Sequence, residues 1–176
     1  MYPVNEQDTV VEMTDAPRPD VGAPLPLVLA DDYRLLLAYL LSEPDPNWDG
    51  TYVNVVSPDS EGMPVAVIRF RRPYAHMFGP PNDEAFYGHP LANRGLDPYA
   101  VFEVRQSSWI RQLERMNSVH PHHKREWFME NKKHFIFAFH DSTFECIAEG
   151  FEVQLCRGSL LSALEQMTKL LEEDPA

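Results

Sequence analysis

The sequence predicts an α+β domain, an antiparallel β-sheet of about five to six strands packed against three to four helices. Three observations carry that reading. Phe135, Phe137 and Phe139 alternate with His134, Ile136 and Ala138, the period of two that a strand imposes on its side chains. Other segments repeat apolar residues at helical spacing, as Leu160, Leu164, Met167 and Leu171 do. The third is composition: 176 residues, 44% hydrophobic and 11% aromatic, suffice to bury one sizeable core.

Residues 1–24 are rich in acids and prolines and lack periodicity, which predicts a flexible tail followed by a single domain over 25–176. Leu25–Leu29 is a candidate first strand. The run ADDYRLLLAYLLSE predicts a short helix: Asp31 or Asp32 can cap its amino end, acids there suit the helix dipole, and leucines surround most of it. Thr51–Val56 and Val65–Phe70 read as strands on either side of the turn-rich SPDSEGMP. Arg71–Asp97 then holds four prolines and three glycines among Tyr, Phe and Met, a long loop whose aromatics should pack it down. Tyr99–Val104 resumes a strand. Ser107 or Ser108 caps a helix whose inner face is Trp109, Ile110, Leu113 and Met116, with Arg111, Glu114 and Arg115 outside. Pro121 can open a second helix over HPHHKREWFMENKK.

Lys133–Arg157 reads as a three-strand meander. HDST would turn the chain so that Phe139 lies opposite Phe144. Glu149-Gly150 would turn it again, setting Cys146 opposite Val153 and Phe144 opposite Leu155. One face is then wholly apolar, from Phe135, Phe137 and Phe139 through Phe144, Cys146 and Ala148 to Phe151, Val153 and Leu155. A one-residue slip would scatter this set, so the pattern selects the register. Gly158-Ser159 opens the last helix.

Net charge is −12, and it is uneven. Residues 105–134 hold seven Lys/Arg against three Asp/Glu, while the remainder holds eight against 24. Such an acidic chain argues against nucleic acid as a partner, although Arg105, Arg111, Arg115, Lys124, Arg125, Lys132 and Lys133 lie near Trp109 and Trp127. It suits a basic protein partner. Two cysteines make no disulfide framework, and in the expected register Cys146 and Cys156 point to opposite faces, so reduced thiols and a cytoplasmic location are expected. The amino end is acidic and carries no apolar signal-peptide core, and the longest apolar run, Leu35–Leu41, is too short to span a bilayer, so no membrane association is expected.

Three groups of residues could carry chemistry. His120, His122 and His123 could present imidazoles to zinc or another divalent ion, but HExxH, paired CxxC and DxDxDG spacings are all absent, and no cofactor is expected. His140, Asp141 and Glu145 lie near the HDST turn, with His140 and Glu145 on the outer face, where a carboxylate beside an imidazole could serve a general base. Asp and Ser there are equally explained by turn capping. Asn82, Asp83, Glu84, His89, Asn93 and Arg94 place donors, acceptors and a cation among aromatics in the long loop, as ligand-binding surfaces do. GxGxxG, GxxxxGK[ST] and GxSxG are absent. Cys146, on the apolar face, reads as core filler.

HFIFAFHDSTFECIAEGF, with the upstream GHPL, GLDPYAVFEV and SSWI, looks like small uncharacterised bacterial domains. The acidic, single-domain, motif-poor character is also similar to that of bacterial toxin-immunity proteins, a likeness of class that transfers no residues. The expectation is a small non-catalytic interaction protein that uses Arg71–Asp97 and nearby acids to hold a protein partner. The alternative is a histidine- or metal-dependent enzyme acting on a small anionic substrate, with His89, Arg94, His120, His123, His140 and Asp141 converging on one pocket.

Overall fold

Leu35–Leu40 is the strand that explains the architecture, because it is buried along its whole length. In the computed structural model, which describes residues 2–43, 49, 51 and 55–172, this strand (β3) lies inside a sheet with a different layer on each side. Leu35, Leu37 and Tyr39 face one core and Leu36, Ala38 and Leu40 another. The expected helix over ADDYRLLLAYLLSE is therefore wrong. Apolar residues that surround a helical cylinder equally fill both faces of a central strand, and only length separates the two.

The remaining elements assemble two antiparallel sheets, of five and four strands, rather than one. Sheet A has the order β1-β6-β7-β8-β5, from Thr9–Glu12 (β1), Ala75–Gly79 (β5), Val101–Arg105 (β6), Lys133–Ala138 (β7) and Thr143–Ala148 (β8). Sheet B has the order β2-β3-β4-β9, adding Leu27–Ala30 (β2), Met63–Arg71 (β4) and Gly150–Gly158 (β9) to β3. The sheets share an aromatic core, in which Phe70 packs with Phe135, Phe137, Phe144 and Phe151 at ring separations of 5.6–6.5 Å. Among the described residues, three helices cover the outer faces. Leu160–Leu170 (α3) lays Leu160, Ala163 and Met167 on sheet B, and Ser159 caps it in a capping box. Ser108–Asn117 (α1), Arg125–Met129 (α2) and two single 3₁₀ turns, Phe86–Gly88 and Ala92–Arg94, cover sheet A. The result is a four-layer α/β/β/α stack.

The three-strand meander is corrected to a hairpin and a crossover. β7 and β8 pair with Phe137 opposite Phe144, two residues from the expected register. A slip of two preserves the faces, and Phe135, Phe137, Phe139, Phe144, Cys146 and Ala148 do share one core. β9, however, leaves the sheet at Gly150 and pairs with β4, where Phe70 is opposite Phe151 and Ile68 opposite Val153. Val153 and Leu155 are consequently exposed at an edge.

Other expectations shift as well. The amino-terminal segment, expected as a tail, contributes β1 and buries Tyr2 and Asp8. Ser107 caps α1 as expected, but Glu114 is buried and Met116 is 63% exposed, reversing their assigned sides. The helix expected after Pro121 is a single short segment, α2, that starts only after Lys124. The strand expected over Thr51–Val56 lies largely outside the described residues. Both cysteines are free. Among the described residues, no helix is long and apolar enough to cross a membrane.

Candidate functional site

Alternation along β7 and β8 sends His134 and Glu145 to the face of sheet A away from the aromatic core. That face was expected to be open. It is roofed by α1, α2 and the 3₁₀ turns, so His134 is 0% and Glu145 4% exposed. A carboxylate there must be hydrogen-bonded or neutralised. Tyr2 O–H donates to Glu145 Oε2 at 2.6 Å, His134 Nε2 lies 2.9 Å from the same oxygen, and His89 Nε2 lies 3.2 Å from Oε1.

The bonding pattern assigns the tautomers. Leu91 N–H donates to His89 Nδ1 (3.1 Å), leaving the proton of a neutral ring on Nε2, pointed at Glu145. The Glu145 carboxylate only accepts, so a neutral His134 ring carries its proton on Nε2 and its Nδ1 accepts from the Ser107 hydroxyl (2.9 Å), whose oxygen in turn accepts from Ile110 N–H (3.3 Å). Burial by itself would raise the Glu145 carboxyl, but the bonds from His134 and His89 outweigh it and hold the pKa at about 2. Burial lowers the His134 imidazole against the pull of Glu145, and burial followed by the Glu145 charge raises the Tyr2 hydroxyl. Among the described residues, the only buried side-chain polar atom without a partner is Gln112 Oε1, so this cluster is complete. It leaves no open position for a ligand, and it ties the amino terminus, a 3₁₀ turn, the start of α1, β7 and β8 together. Beside it Asp8 accepts from the Ser108 hydroxyl (2.6 Å) and the Asn5 N–H (2.9 Å), with Arg111 at 3.5 Å.

A second set repeats this chemistry near the surface. His140 Nδ1 lies 2.9 Å from Asp83 Oδ2, and Tyr99 O–H donates to the same oxygen. The His140 ring stacks on Tyr99, its side chain is 40% exposed, and Asp141 Oδ1 is 4.0 Å from its Nε2. The Tyr99 hydrogen bond lowers the Asp83 carboxyl and pushes the Tyr99 hydroxyl up to about 12. Asp83 also accepts from Glu84 N–H, and Asn82 accepts from Ala85 N–H, so both hold the loop as turn residues do. With Nδ1 directed at Asp83, His140 Nε2 has the orientation of a general base.

The remaining expected residues fall elsewhere. His123 Nε2 lies 2.9 Å from the buried Glu114, and Asn117 contacts its Nδ1 at 3.1 Å. His120 and His122 are exposed neighbours with ring centres 5.9 Å apart. Arg94 donates to the Asp8 carbonyl (3.1 Å), and Glu84 and Asn93 are exposed. His89, His123 and His140 thus belong to three separate hydrogen-bonded groups. Among the described residues, no three His, Cys, Asp or Glu side chains are placed to hold a metal ion. Sequence reasoning missed Tyr2, Asp8 and His134. His134 was findable: Ile136 and Ala138 on its face are apolar, which marks that face as covered.

No family model matches the sequence, and no curated protein and no solved structure matches it either.

Proposed function

We propose that this chain is a non-catalytic interaction protein that holds a partner protein on the Arg71–Asp97 surface. The supporting observation is how that surface is built. Phe86, Leu91 and Leu96 anchor it in the core, and Thr143 Oγ1 donates to the Pro81 carbonyl at 2.8 Å. From this fixed base Tyr87 projects 86% exposed, with Phe78 on edge strand β5 47% exposed. Aromatic side chains presented on a rigid backbone supply contact area at little ordering cost, the composition of interface hot spots. Glu84, Asp97 and Asp141 are exposed acids on or beside this loop, and in a chain of net charge −12 they favour a basic partner. Free cysteines fit a cytoplasmic setting.

Affinity capture from the native host tests this with wild-type protein and the Tyr87→Ala/Phe78→Ala double variant, both shown folded by thermal melts. The expected result is a partner retained by wild type, lost on the double variant, and released as salt rises. A partner kept by the double variant, or none at all, contradicts the reading. The second reading, a histidine-dependent enzyme for a small anionic substrate, is favoured only by the Asp83–His140 pair. It requires turnover abolished by His140→Ala and sharply reduced by Asp83→Asn.

A further inference from the structure

Two cavities, of about 300 and 460 Å³, meet at Arg71 and Lys133, which line both. They lie where the chain crosses between the sheets twice, from β4 to β5 and from β8 to β9. The crossings run side by side: Glu149 N–H donates to the Arg71 carbonyl (2.9 Å) and Tyr74 N–H to that of Ile147 (2.7 Å). Met13, Phe135 and Phe151 line the smaller cavity, and Arg72 and Glu149 join the rim of the larger.

We propose that this cleft binds a small organic anion, with its carboxylate or phosphate head held by Arg71 and Lys133 and its apolar body against Met13, Phe135 and Phe151. The cations are available. Among the described residues neither Arg71 nor Lys133 has an ion-pair or side-chain hydrogen-bond partner, whereas Arg72 is paired with Glu149 at 3.4 Å. Two unpaired cations sharing one cleft of an acidic protein repel each other until an anion joins them.

The backbone is arranged to put them there. Consecutive strand residues point to opposite faces, yet Arg71 and Arg72 line the same cavity. The alternation breaks at Arg72, whose φ of 44° lies in the left-handed region that non-glycine residues seldom adopt. Asn131, on the same rim, has φ 63°. Gly150, opposite Arg71 in the β4–β9 pairing, leaves room for the guanidinium, which a Cβ at that position would strike. Asp15 and Glu103 line the smaller cavity too, and Glu103 has Arg105 at 3.8 Å. They exclude the head group from their side and orient it toward Arg71 and Lys133. The site does not depend on a protein partner at Tyr87.

Isothermal titration calorimetry of the full chain with inorganic phosphate, benzoate and phenyl phosphate tests the proposal. At least one of the two aromatic anions should bind with unit stoichiometry and more tightly than inorganic phosphate, and the stronger of them names the head group. Arg71→Ala and Lys133→Ala should each weaken binding about tenfold or more, the scale of a charge-assisted hydrogen bond. Gly150→Ala, at a position without positive φ, should stay folded and weaken binding by displacing Arg71. Lys169→Ala, on α3, should change nothing. Thermal melts establish folding of each variant. No binding of either aromatic anion, affinity no better than that of inorganic phosphate, or binding that survives loss of Arg71 and Lys133 would overturn it.

Discussion

Glu145 and Asp83 are each hydrogen-bonded by one tyrosine and by histidine, yet they do opposite things. Tyr2, His134 and His89 close on Glu145 from three sides under a helical roof. Tyr99 and His140 meet Asp83 at the surface, where the imidazole is 40% exposed. The same residue types make an internal pin in one place and a solvated loop brace in the other. What differs is coverage and the presence of a second imidazole, and neither can be read from residue identity. Burial without compensation would have made Glu145 a raised-pKa acid. Two imidazole donors reverse the sign.

The contrast can be broken first at the carboxylates. Glu145→Ala would strand three buried donors and cost about 3 to 5 kcal/mol, which for this chain length lowers the melting temperature by roughly 10 °C. Asp83→Ala should leave the melting temperature close to wild type, since its partners can turn to water. Equal losses in the two variants would erase the distinction.

A smaller effect sharpens it at the tyrosines. Tyr2→Phe keeps the ring stacked on Trp109, at 5.4 Å between centres, and deletes only the hydroxyl. It should cost about 1 to 2 kcal/mol in urea unfolding and increase amide exchange in residues 2–12. Tyr99→Phe should cost less and leave exchange there unchanged. The smallest perturbation is chemical. Brief carbethoxylation of the folded protein should label His120 and His122 and spare His89 and His134, which are 3% and 0% exposed. Early labelling of either buried ring would show that the roof opens.

How much of this the sequence disclosed depends on whether the signal was local. The Phe135–Ala148 hairpin was legible because both strands put their aromatics on one face, and even a two-residue register error kept that face intact. The Ser107 and Ser159 caps were legible for the same local reason. β3 was not, because six residues buried on both faces have no strand periodicity and are made of good helix formers. β9 was misassigned because its pattern fixes a face and not the strand it pairs with, and its partner β4 lies some eighty residues earlier. The Glu145 cluster gathers residues 2, 89, 107, 134 and 145, and no spacing rule joins them. Its one local sign was a histidine on a strand face that is otherwise apolar.

Whether Glu145 works as an ionised pin inside the fold is tested most directly by its own titration. Its folded pKa of about 2 lies below the ordinary 4.5, so its contribution is full above pH 4.5 and disappears as pH falls toward 2. Urea unfolding of wild type and Glu145→Gln from pH 7 to pH 2 isolates that contribution, because the other carboxylates titrate in both proteins. The expected result is a stability gap of about 3 kcal/mol at pH 7 that closes between pH 4.5 and pH 2. A gap that stays constant across that range would mean that Glu145 is not held ionised by His89 and His134.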